Sequence, residues 1–266
     1  MWHGLKRAWL AATGTAEPEI PQALWQRTLT DHHFLQRLNA DELVRLRALC
    51  QQFLASKEFH AVPPLELTDD IALAIAVQAC LPVLNLPGGV ANYSGWVGIV
   101  LHAGEVVASR EWMDDDGVVH TFDEPLTGEA LEGGPVTLSW HDVRLAASSY
   151  ASAAHDADAS YNVVIHEFTH KLDMLNGEVD GMPPLATRAA RDEWQAVLHD
   201  EYTRFCTAVD LGVDTYLDPY AAEHESEFFA VASEAFFVDG AQFKAVHPAM
   251  YELLRSYFQQ DTAISI

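Results

Sequence analysis

The chain has 266 residues, with 15 Lys and Arg against 39 Asp and Glu, a formal net charge of −24 and 49% hydrophobic residues. That mixture can bury a core and is not that of an acidic disordered tail, and the length admits one large domain or two small ones. So few cations leave no room for a large basic face, which excludes direct binding to nucleic acid or to an anionic membrane surface.

The N-terminus, Met1 to Arg7, carries two cations and is followed by a brief Ala- and Thr-rich run, Ala8 to Thr13. That run is too short for a secretory leader, and no stretch approaches the ~20 apolar residues needed to span a bilayer. Residues 19–60 read as helical, because Leu38, Leu43, Leu46, Cys50 and Phe53 recur at helical spacing behind an Asn39-Ala40-Asp41-Glu42 start. Thr68-Asp69-Asp70 caps a second helix that runs to about Cys80, and Pro82 and Pro87-Gly88-Gly89 close this half. The texture then turns to β-branched residues. Trp96 to Ser109 reads as a strand pair turning at His102-Ala103-Gly104, Val118 to Phe122 as a further strand, and Val136 to Val143 as an edge or proline-started strand. After a polar loop over 148–160 the chain reads as helical to its end, near 160–175, 186–210, 222–238 and 247–260, with Asn176-Gly177 as a C-cap. Cys50, Cys80 and Cys206 form no C-x-x-C pair, so free thiols in a reducing, cytoplasmic compartment are expected. The expectation is one α+β domain over 1–266, with a helical N-terminal layer at 19–87, a β region at 95–143 and a helical region at 158–260.

The chemistry concentrates in His166-Glu167-Phe168-Thr169-His170, an H-E-x-x-H string. By chance such a string turns up in roughly one chain in twenty of this composition, so its context decides its meaning. Val163, Val164 and Ile165 precede it and a capped end follows, which puts it on a half-buried helix. On a helix, positions i and i+4 stand one above the other, so His166 and His170 can aim two imidazoles at one zinc ion. Glu167 lies beside that point, where it can take a proton from an activated water. Asp173 shares the metal-facing side and can accept the second N–H of a ligand histidine or of a neighbour. A catalytic zinc needs a third protein ligand, and the position of a histidine in the extended motif is occupied by Asn176. The best source is the segment Asp218 to Phe237, whose helix carries Glu227 and Glu234 seven residues apart on one face. Spacing alone leaves the choice between these two open, and Glu234 could equally stand behind a ligand or in solvent.

These segments together, His166 to Gly177, Asp218-Pro219-Tyr220-Ala221-Ala222 and Glu227 to Phe237, closely resemble the Mlc titration factor A family, bacterial cytoplasmic zinc peptidases. The resemblance runs from about residue 20 to 261 and includes Cys80 to Leu84, Asp116 to His120 and Gly134 to Trp140. It implies a gluzincin-like core related to the anthrax lethal factor protease, with a small mixed sheet, the motif helix and additional terminal helices. It also implies one zinc ion per chain, Glu227 as third ligand, Glu167 as general base, Tyr220 as an oxyanion donor, and His120 as an additional zinc-binding position that would block the water site in a latent state. Against typical members the chain is longer between His120 and His166. The resemblance further implies aminopeptidase action on short peptides and binding of the transcriptional repressor Mlc, a link to sugar uptake. The strand from Val136 to Trp140 is expected to offer its edge to an extended peptide. A non-catalytic, repressor-sequestering protein is the alternative.

Overall fold

The computed structural model of the chain describes residues 19–104, 106–113, 119–126, 128–148 and 160–264. Helix α1 (Gln22–Asp31) and a 3-10 turn (His33–Arg37) lead into α2 (Ala40–Ser56). Helix α2 starts where its chemistry dictates. The Asn39 side chain accepts from Glu42 N while the Glu42 carboxylate accepts from Asn39 N, a reciprocal capping box. The helical reading to residue 60 is corrected at this point, because Glu58–Ala61 forms strand β1, four residues being too few to show a two-residue period. Thr68 caps α3 (Asp69–Cys80), as its sequence implies, and this helix is buried on nearly every side.

Strands β2 (Gly98–His102), β3 (Val106–Met113), β4 (Val119–Leu126), β5 (Gly128–Ala130) and β6 (Val136–Ser139) follow. The expected hairpin between β2 and β3 does not form. Strand β2 lies parallel to β1 and β6 in a four-stranded sheet of order β1-β2-β6-β5, whereas β3 pairs antiparallel with β4 in a sheet of its own. Two further corrections concern β6. It ends at Ser139, since Trp140 begins α4 (Trp140–Ser148), and it lies between β2 and β5, so its edges are both taken. The outer strand on that side is β5, antiparallel to β6 with Gly128 opposite Leu138 and Ala130 opposite Val136.

The last third is helical: α5 (Val163–Asp173), α6 (Arg188–Asp210), α7 (Glu225–Val238), α8 (Gly240–Val246) and α9 (Pro248–Phe258). The expected capping of α5 is found, with a 3-10 turn, Met174–Asn176, stopped by Gly177 at φ 95°. Helix α5 is the centre of the packing. Phe168 points away from the histidines into an aromatic cluster, its ring centroid 4.9 Å from Tyr93, 5.5 Å from Phe53 and 5.7 Å from Trp96. Two buried lysines flank Trp96. Lys57 Nζ, 3.6 Å from the ring centroid, donates to the carbonyls of Tyr93 and Trp96, and Lys171 Nζ, 4.7 Å away, donates to those of Leu131 and Gly134. Burial pushes both ammonium groups down to about 8. The Lys171 bonds clamp the β5–β6 turn onto the helix that carries the motif.

Asn162 sets the start of α5. Its Oδ1 accepts from Ile165 N at 3.0 Å, its Nδ2 donates to Gln78 Oε1 of α3 at 2.8 Å, and its backbone N–H donates to Glu234 of α7. Asn162→Ala removes the cap and strands the buried Gln78 oxygen, so unfolding in urea should show a loss of about 2 kcal/mol with an unchanged m-value.

Candidate metal centre

Residues of α5 and α7 meet in a small polar cluster within otherwise apolar packing. His166 Nε2 and His170 Nε2 stand 3.1 Å apart, and Glu227 Oε2 lies 3.0 Å from the first and 3.3 Å from the second. Donors on one tetrahedral zinc at about 2.1 Å are about 3.4 Å apart, so this triangle has close to the required size. The donor set, two imidazole nitrogens and one carboxylate oxygen, fits a divalent cation of intermediate softness, and these three residues could hold it.

The choice between Glu227 and Glu234 is decided by depth along α7. Seven residues make nearly two turns, so both face α5, but they reach opposite nitrogens of one ring. Glu234 Oε1 is 2.8 Å from His166 Nδ1, while its other oxygen accepts from Asn162 N. That contact orients the imidazole and presents Nε2 to the cluster. The sequence left Glu234 as one of two candidate ligands; in the structure it braces the histidine from behind.

The electrostatics point the same way. Burial lowers His166, but hydrogen bonds to Glu227 and Glu234 and the charges of nearby carboxylates raise it well above the ordinary histidine value. Burial raises Glu227, and hydrogen bonds with His166 and His170 reverse this and hold its carboxyl well below the usual range. Among the described residues Glu167 has no such partner. Burial drives it up to about 8, His166 opposes that rise, and Glu227, Glu234 and Glu129 add to it. Three carboxylates converging on two largely enclosed imidazoles make a site that gains from a bound cation.

The remaining sequence candidates fall on several sides. Glu167 lies on α5 and is 5% exposed, its carboxylate against Gly128 of β5. Tyr220 sits on a 3-10 turn, Pro219–Ala222, whose first N–H groups are held by Asp218, and its ring centroid is 6.2 Å from that of His166. At 45% exposure it stands on the solvent side of the cluster. Among the described residues Asp173 makes no hydrogen bond to a histidine, although the charge of His170 acts on it. Its Oδ2 accepts from Gly181 N at 2.9 Å, and Gly181 O accepts from Trp194 of α6, so this carboxylate anchors the loop after α5. Its Oδ1 and His170 Nδ1, three residues apart on one helix, are both buried without a hydrogen-bond partner. Burial raises Asp173 to about 6 against the opposing pull of the Gly181 N–H. His120 lies on β4 opposite Trp112, and its side chain is outside the described residues.

Sequence reasoning passed over two contributors. His224 caps α7 through a 3.2 Å contact with Ser226 N, signalled only by its place before Glu225 and Ser226. Gly128, the first residue of β5, brings that strand close to α5.

The chain matches the model of the family described as glucose-regulated metallo-peptidase M90 over residues 6–259. It is 32% identical to Mlc titration factor A of Salmonella choleraesuis, covering 97% of this chain and 92% of that one. Mlc titration factor A of Pectobacterium atrosepticum is likewise 32% identical, over 89% and 86% of the two chains. A protein of Synechocystis is 31% identical over 88% and 82%.

Different losses are expected from Glu227 and Glu234. Glu227→Ala should abolish stoichiometric metal in protein dialysed against zinc, whereas Glu234→Ala should keep the site and weaken it roughly 10–100-fold in competition with a chelating dye.

Proposed function

The chain belongs to the glucose-regulated metallo-peptidase M90 family, and from that premise we propose that it is a zinc-dependent peptidase, of aminopeptidase type, acting on short peptides. The observation that carries this reading is the convergence of His166 Nε2, His170 Nε2 and Glu227 Oε2 at 3.0–3.3 Å beside the buried carboxylate of Glu167. His166, His170 and Glu227 are the metal ligands and the core is gluzincin-like. When bound, zinc supplies Lewis acidity, polarising the scissile carbonyl and acidifying a water.

The protein's own groups do the rest. Glu167 takes the proton of the attacking water on its carboxylate and passes it to the leaving amine. The Tyr220 hydroxyl donates to the oxygen that gains charge as the carbonyl carbon becomes tetrahedral. Glu234 keeps the His166 ring in the tautomer that leaves Nε2 free. Strand β5 is the outer strand of its sheet and lies against α5, so an extended peptide pairing main chain to main chain along β5 would pass beside Glu167. This replaces the β6 edge expected from the sequence. Main-chain pairing reads no side chain, so preference is left to pockets flanking the strand.

A second reading is favoured by the relatives' names, which tie them to Mlc. On it, the protein binds a transcriptional repressor of the Mlc type and so touches sugar uptake, as a protein partner and without contact to DNA. His120 as an occasional further ligand would then belong to a latent form relieved by the partner. The chain is read as one domain over 1–266 working in the cytoplasm; among the described residues no helix is long and apolar enough to cross a membrane.

Glu167→Gln should keep one zinc per chain and lower kcat on amino-acid p-nitroanilides roughly 10²–10⁴-fold; undiminished turnover contradicts the mechanism. Tyr220→Phe should lower kcat roughly 10²-fold with KM little changed. For the second reading, a pull-down with the cognate repressor is repeated with His166→Ala. Retained capture places the partner surface away from the metal, and no capture by either protein removes the repressor reading.

A further inference from the structure

We propose that Gly128 is a positioning residue that seats the Glu167 carboxylate, a role that rests on the reading of Glu167 as the proton carrier. Strand β5 is fixed above α5 at both ends. At its far end Lys171 Nζ, from α5, donates to the carbonyls of Leu131 and Gly134 in the turn that follows the strand. At its near end Gly128 lies directly over Val163 and Glu167, which are one helical turn apart on the same face. A Cβ placed on Gly128 would stand 2.7 Å from Val163 Cγ2 and 2.8 Å from Glu167 Cγ, and would collide with Glu167 Oε1. The space over Val163 and Glu167 is what demands glycine at this position.

The strand cannot easily retreat. It is registered to β6 through Gly128–Leu138, Glu129–Thr137 and Ala130–Val136, and its turn is held by Lys171. What yields to a methyl group is therefore the mobile end of Glu167. Proton transfer needs that carboxylate within hydrogen-bond reach of the reacting atoms, and a shift of about 1 Å is enough to cost rate. The three atoms nearest to that Cβ belong to Glu167 and Val163, and none belongs to His166, His170 or Glu227. Gly128 acts through Glu167 and does not touch substrate in this role.

The test compares Gly128→Ala, Gly128→Ala with Val163→Ala, and Glu167→Gln. The second variant removes the branched methyls that the new Cβ would meet and so relieves the purely structural clash. Zinc content, thermal unfolding, kcat and KM on amino-acid p-nitroanilides, and calorimetric binding of a dipeptide hydroxamate are measured for each. The hydroxamate is chosen because its hydroxyl needs a carboxylate partner at the position of Glu167. Gly128→Ala should keep one zinc per chain and KM within about twofold, with kcat lowered roughly 10–100-fold and the hydroxamate bound roughly tenfold more weakly. The double variant should regain thermal stability while kcat stays low. Wild-type kcat and hydroxamate affinity in Gly128→Ala overturn the proposal, as does recovery of kcat in the double variant or a loss that tracks zinc. Wild-type protein with neither zinc nor turnover removes the peptidase reading and this role together, whereas a fully active Gly128→Ala removes this role alone.

Discussion

The contact between Glu234 and His166 is the joint on which the arrangement depends. One buried carboxylate accepts the backbone N–H of Asn162 at the start of α5 and also lies 2.8 Å from His166 Nδ1. It therefore fixes the entry of one helix, the rotation of an imidazole and the separation of α5 from α7 at once. Buried charge is costly unless satisfied, and here each oxygen has a partner. Glu227, two turns earlier on α7, inherits its position from that joint and meets both Nε2 atoms.

Around this joint the protein uses apolar packing to hold polar groups in place. Phe168 is locked among Phe53, Tyr93 and Trp96, so the opposite face of α5 cannot rotate away from α7. Lys57 and Lys171 spend their ammonium groups on backbone carbonyls around Trp96, which binds the N-terminal helices, the sheet and α5 into one packed unit. The site is thereby built on helices, with strand β5 clamped above it. Asp173 adds the loop after α5 through Gly181 and Trp194. The result is a cluster in which carboxylates outnumber cationic partners, and in which a metal ion has both a reason and a place to bind.

Much of this was legible in the sequence, for identifiable reasons. The H-E-x-x-H spacing names two facing imidazoles because helical pitch is a local property, and the caps at Asn39, Thr68 and Gly177 are local as well. The roles of Glu227 and Glu234 were not separable, because both share one face of α7 and only the height of α5 against it distinguishes them. The strands were legible as segments but not as partners. β2 and β3 adjoin in sequence yet join different sheets, since parallel pairing with β1 and β6 depends on contacts far along the chain. Strands β1 and β5, of four and three residues, were too short to display a period. The place of Asp173 on Gly181 depends on a loop whose path no spacing encodes.

X-ray absorption at the zinc edge of the purified protein reads out whether two imidazoles and one carboxylate of this cluster hold zinc. Zinc held there gives imidazole and oxygen scatterers at about 2.0–2.1 Å, with the imidazole signal reduced in His166→Ala. Sulfur scatterers at about 2.3 Å, or protein that takes up no zinc from a zinc-containing buffer, would contradict it.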